Sequence, residues 1–266
     1  MSLTNKTKAS SYKDILIVPN SNNGIDSITR NITSGEGTAS AISLSDDSFK
    51  ITPQNDDSTR VFDVSDKDNN VLLRVDSSND LVKAGIGLNV VNTQYAYFGA
   101  NYTTIDAFAA NYHYPLAFSA ASGGLTATTD IDFGSATNPP STFTTADTDT
   151  QYASQLVPVI WRVSDNITID EIKHFEGADN ATGDTTRMHL MSYTFNTGVT
   201  GALTEGAVVA NTTDDNTNAG NEQVYLRDWT IATEDVDAGK VLLCMFRSDS
   251  VNSDYSISVS IKYHLR

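Results

Sequence analysis

Histidine, cysteine and paired carboxylates are the side chains that most often carry chemistry, and their spacing here offers little of it. His113, His174, His189 and His264 stand far apart in the chain, none at the spacing of a helical or hairpin metal site. They read as surface or interface histidines with satisfied hydrogen bonds. Cys244 is the single cysteine, so no intrachain disulfide can form, and its place in Val241–Phe246 reads as a small buried hydrophobe. Asp66-Lys67-Asp68-Asn69-Asn70 begins like a calcium loop. Val71, however, stands where the sixth position needs glycine, and Ser77 where the twelfth needs a bidentate glutamate. Asp130 with Asp132, Asp214 with Asp215, and Asp235 with Asp237 are better explained as solvated turn carboxylates than as cation ligands. With 33 acidic residues, chance alone places some pair at a glycosidase separation. No nucleophile elbow, phosphate loop or dinucleotide glycine motif is present. The expectation is a protein without catalysis, cofactor or resident metal.

Binding is better served. Two polar stretches, 177–186 and 211–222, read as long loops rich in Asn, Asp, Thr and Gly. Within the second, Asp214, Asp215, Asn216 and Asn218 are the candidate contacts to glycan hydroxyls. Trp161 and Trp229 offer stacking faces, although core burial is the stronger expectation for each. Residues 88–118 are rich in Tyr and Phe and poor in charge, the composition of a packing segment or subunit interface. Near the amino end, Ile15, Leu16, Ile17 and Val18 form one apolar strand between polar flanks, suited to adding onto the sheet edge of another protein.

The bulk composition narrows the partners. Net charge is −16, and no Lys/Arg cluster is available to neutralise phosphates, so nucleic acid is not expected as a ligand. Apolar residues make up 39%, a low value, and Thr, Ser, Asn and Asp take their place. No apolar run approaches the length of a membrane helix, and Met1–Lys8 lacks the apolar core of a signal peptide. These features suggest a protein made in the cytoplasm and used in an assembly.

Positioning falls to short strands. Ile42–Leu44, Phe49–Ile51, Arg60–Val64, Val71–Val75 and Leu81–Ala84 are separated by Asp/Asn/Ser turns, with Asp46, Asp56, Asp68 and Asn79 stepping at intervals of 10, 12 and 11 residues. Such a meander holds too little apolar surface to be stable alone, the situation of stacked or intertwined fibrous β structure. Before it, residues 1–41 contain the strand Tyr12–Val18 and a Ser/Gly/Thr-rich connection. After it, 119–150 reads as a linker. Residues 151–266 contain seven strand candidates, among them Gln155–Val163 and the strictly alternating Tyr255–Tyr263, and predict an antiparallel β-sandwich of jelly-roll type. Residues 199–210 hold at most one short helical turn.

Three passages carry a family likeness: Lys8–Asp26, Gly35–Thr38 and Val61–Asp76. They resemble virion fibre proteins of tailed bacteriophages, marine ones in particular, over about residues 8–118. The resemblance implies an all-β homotrimer. Its amino-terminal anchor, residues 1–41, would dock on a capsid or tail protein. A short intertwined β shaft with its packing segment would occupy 42–118. By position, 151–266 corresponds to the distal head, which in such fibres often binds a host surface, although the likeness does not extend there. The expected location is the virion. A fibre-borne polysaccharide depolymerase and a cellular carbohydrate-binding module are the alternatives. The first is disfavoured because fibre enzymes of this kind need a long parallel β-helix that this chain is too short to form.

Overall fold

The computed structural model describes residues 16–21, 23–85, 87–102, 109–118, 131–147, 150–179, 182–218, 223–250 and 254–266. They are almost entirely β, in several antiparallel sheets, and group into two compact units, Met1–Val91 and Asn92–Arg266.

The first unit contains two small meanders. β1 (Arg30–Thr33), β2 (Ala39–Leu44) and β3 (Phe49–Ile51) form one sheet. β4 (Phe62–Ser65), β5 (Val71–Asp76), β6 (Leu81–Ala84) and β7 (Asn89–Val90) form the other. The expected strands from Ile42 to Ala84 are present with boundaries shifted by at most three residues, because the Asp/Asn turns terminate them locally. At Asp66, Oδ1 accepts hydrogen bonds from the backbone N–H groups of Asp68 and Asn70 at 2.8 and 2.9 Å, and Asn69 takes the left-handed conformation with φ 64°. The Ser/Gly/Thr-rich connection expected before Ile42 is in part strand, since β1 and the start of β2 lie inside it.

The second unit begins at Asn92, not at 151. It comprises β8 (Thr93–Tyr102), β9 (Tyr114–Pro115), β10 (Ala117–Phe118), the short helix α1 (Ala153–Leu156) and β11 (Trp161–Arg162). Beyond them come β12 (Ile167–Asp179), β13 (Thr182–Phe195), β14 (Leu203–Asn211), β15 (Asp215–Asn218) and β16 (Gln223–Asp228). β17 (Thr230–Ile231), β18 (Asp235–Val236), β19 (Lys240–Ser248) and β20 (Asp254–Leu265) complete it. One sheet runs β10-β8-β20-β12-β16 with β18 against β12. The other runs β11-β19-β13-β14-β17, with β9 on β19 and β15 on β13. Their inner faces share a core that includes Phe98, Tyr102, Met188, Leu190, Leu242, Cys244, Phe246, Ile257 and Val259. Tyr102 stacks on Phe246 across it with ring centroids 5.4 Å apart. The aromatic segment thus supplies β8 to this core through Ala96, Phe98, Ala100 and Tyr102.

Several expectations are corrected. Of the linker expected over 119–150, residues 131–147 form a packed strap. Ile131, Phe133 and Phe143 are buried with Tyr193, Leu243 and Met245 on the outer face of the second sheet, and Phe143 bridges Leu203. The strand expected over 155–163 is α1 followed by a 3₁₀ turn at Val157–Val159, because Pro158 lacks the N–H a ladder needs; β11 alone is strand. Residues 177–179 and 182–186 belong to two long strands of different sheets, β12 and β13, and the turn expected over 199–210 is mostly β14. No described helix is long and apolar enough to cross a membrane.

Candidate functional site

The two meanders of the first unit are amphipathic. Because residues opposite each other in an antiparallel pair share a face, the register Phe62↔Val75, Val64↔Leu73, Val75↔Val82 and Leu73↔Ala84 puts six apolar side chains on one side of the β4–β7 sheet. The reverse side carries ions. Arg74 donates to Asp63 at 2.8 and 3.0 Å, holding that carboxyl down near pKa 2, and Lys83 pairs with Asp76 at 3.3 Å. In the β1–β3 sheet, Ile42↔Ile51 and Leu44↔Phe49 make a second apolar face. Neither face is covered. Among the described residues before Asn92 the buried side chains are Ser43 and Asp76, both polar, whereas Phe49, Val64 and Val82 of these faces stand exposed. An open groove of about 760 Å³ lies beside Val71, Leu72 and Leu88 in the same meander.

The expected anchor strand is partly visible. Ile15 lies outside the described residues, as does Tyr12–Asp14. Leu16 is exposed, and Ile17 exchanges two backbone hydrogen bonds of 2.9 Å with Thr33 while its side chain stays exposed. Val18 is half-buried.

The expected glycan contacts are not on an open loop. Asp215, Asn216 and Asn218 lie in β15, in register with Thr186, Thr185 and Thr182 of β13. Asp214 is exposed and faces the Arg187 guanidinium at 3.5 Å. The tryptophans are inside. Trp161 stacks on Phe118 at 5.7 Å with planes 5° apart, and Trp229 is buried with its indole N–H donating to His174 Nδ1 at 2.8 Å.

Burial also corrects the surface reading of the histidines, since all four are buried. The indole can only donate, which assigns His174 Nδ1 as the unprotonated nitrogen. Nε2 then donates toward Glu176 Oε2 at 3.4 Å, which also accepts from Thr186 Oγ1 at 3.2 Å. With both imidazole nitrogens engaged, this network pins strands and leaves no lone pair for proton abstraction. His113 and His189 meet edge-on at 4.9 Å. Burial holds them down to about 4 and about 3, and the nearby Arg187 and Arg247 guanidiniums push in the same direction. His264 bonds Asp170 at 2.9 Å. Among the described residues, no group of three His, Cys, Asp or Glu side chains is placed to hold a metal ion.

A mostly apolar groove of about 540 Å³ lies at the edge of the second sheet, lined by Leu156, Val157, Ile160, Phe195 and Val199 with Arg162 among them. Contact surfaces, not reactive clusters, are therefore the distinctive feature of the molecule. Sequence reasoning found the meander strands through their turn residues. It missed the buried histidine pairs, whose partners lie 76 and 55 positions away.

No family model matches the chain, and no curated protein matches it. Among solved structures, one of infectious bursal disease virus, Gx strain, aligns with 73% of this chain and 38% of its own at 10% identity and a TM-score of 0.27. The chain spans less than two fifths of that protein's length, and a likeness at this level assigns no residue a role.

Proposed function

We propose that the chain is a virion structural protein, a homotrimeric fibre subunit. In this reading the amino-terminal segment docks on another virion protein, the meanders form the intertwined shaft, and the two-sheet unit is the displayed head, with jelly-roll-like character. The observation that carries it is the first unit's lack of any buried apolar side chain among its described residues, beside two continuous apolar sheet faces. Fully burying a Val, Leu, Ile or Phe side chain stabilises by roughly 1.5–3 kcal/mol. Covering even four or five of those exposed contributes on the order of 10 kcal/mol, the scale of a whole domain's net stability. Identical copies supply matching faces in the same register, and closing three sheets on one another leaves no apolar face in water.

The head's role is host-surface binding. With both tryptophans inside, glycan contact falls on hydrogen bonds from the polar strand edge around Asp214–Asn218 rather than on ring stacking. The role involves no catalytic step.

The anchor provides the test. Deleting Ile15–Val18 leaves the trimer intact but removes the protein from particles assembled with the variant in place of the native chain. Particles carrying the deleted form at the native level contradict the docking role.

A further inference from the structure

Eight large apolar side chains are exposed among the described residues of the second unit. Five of them, Tyr95, Tyr97, Phe175, Val224 and Leu226, lie on one outer sheet face. The register places them in rows. Leu226, Phe175, Ser258 and Gly99 run across β16, β12, β20 and β8, and Val224, Gly177, Ser256 and Asn101 run beside them. Asp228, Lys173, Ser260 and Tyr97 form the next row, followed by Glu171, Lys262 and Tyr95. The apolar side chains lie on β16, β12 and β8, and Gly99, Gly177, Ser256, Ser258 and Ser260 are the small residues between them.

We propose that this face is the contact between heads in the homotrimer, its occupant being a second copy of the chain; the inference rests on the trimer reading above. Two observations select that occupant. The first is charge. These four rows carry two acidic residues, Glu171 and Asp228, and two basic ones, Lys173 and Lys262, with Lys173 paired to both acids at 3.6 and 3.5 Å, whereas the register beyond Gly177 and Ser256 continues to Asp179 and Asp254. On a chain of net charge −16, these four balanced rows are where two copies meet with least mutual repulsion. The second is connectivity. Two residues separate β7 from β8, a span of at most about 10 Å between the strand ends. Copies that share the meander therefore have their β8 strands, with Tyr95 and Tyr97 near the start, tethered close together. Tyrosine is also among the residues enriched at interfaces.

The test uses the full chain. Cys244 is wholly buried, so thiols introduced by Tyr97→Cys, Leu226→Cys and, as exposed control, Val199→Cys are the ones that react with iodoacetamide in the native protein. Solution mass is measured on the same samples. The expected result is a trimeric mass, with the thiols at 97 and 226 alkylated about tenfold more slowly than that at 199. If Tyr97→Cys fails to fold, Val224→Cys on the edge strand replaces it. A trimeric mass with equal rates at all sites overturns the head contact and leaves the shaft reading standing. A folded monomer overturns both.

Discussion

At the scale of single residues, the buried histidines set the acid response. An unfolded histidine titrates near 6.5, whereas burial holds His113 at about 4 and His189 at about 3. Between those values the unfolded chain binds more protons than the folded one. Stability is therefore complete above about pH 6.5 and falls as the pH drops toward 4, by about 3 kcal/mol per histidine as an order of magnitude. His189→Gln should flatten the denaturation midpoint between pH 7 and 4.5, and an unchanged slope would contradict this. Gly206 is a steric case. A Cβ there meets the buried Tyr193 ring and approaches the Ser141 Cα to 2.8 Å, so Gly206→Ala should cost roughly 1–3 kcal/mol by denaturant titration. Trp229→Phe leaves His174 Nδ1 buried without its donor and should cost about 1–3 kcal/mol. None of these partners was legible in the sequence, because each contact joins residues brought together by sheet packing. Burial of Cys244 was legible, since the run around it is apolar on every side.

Elements were legible where turns are made locally. The meander strands follow from Asp and Asn side chains that bond their own backbone, as at Asp66, and from residues that accept left-handed geometry, such as Asn69 and Asp80 with φ 64° and 55°. Asn69→Ile should lower stability by roughly 1–2 kcal/mol and Asn69→Gly should not, as thermal melting can show. Elements defined by distant pairing were illegible. β15 is polar, and its pairing with β13 is what makes it a strand. The strap over 131–147 held its signal in Ile131, Phe133 and Phe143, three isolated apolar residues in a polar stretch that burial against Leu203, Leu243 and Met245 explains. The four histidines and two tryptophans lie inside the second unit, so the candidate site moved from reactive residues and loops to sheet faces.

For the molecule as a whole, the account rests on an asymmetry between its units. Asn92–Arg266 holds two buried clusters and has the means to fold by itself. Met1–Val91 shows no buried apolar side chain among its described residues. Expressed separately, 92–266 should melt cooperatively, while 1–91 at low concentration should give the circular dichroism of an unfolded chain. A folded, monomeric 1–91 would remove the need for partner chains. The most direct test is the mass of the intact protein in solution at micromolar concentration. The account predicts three times the 28.7 kDa chain, about 86 kDa, with no folded monomer on dilution. A stable, fully folded species of 28.7 kDa would contradict it.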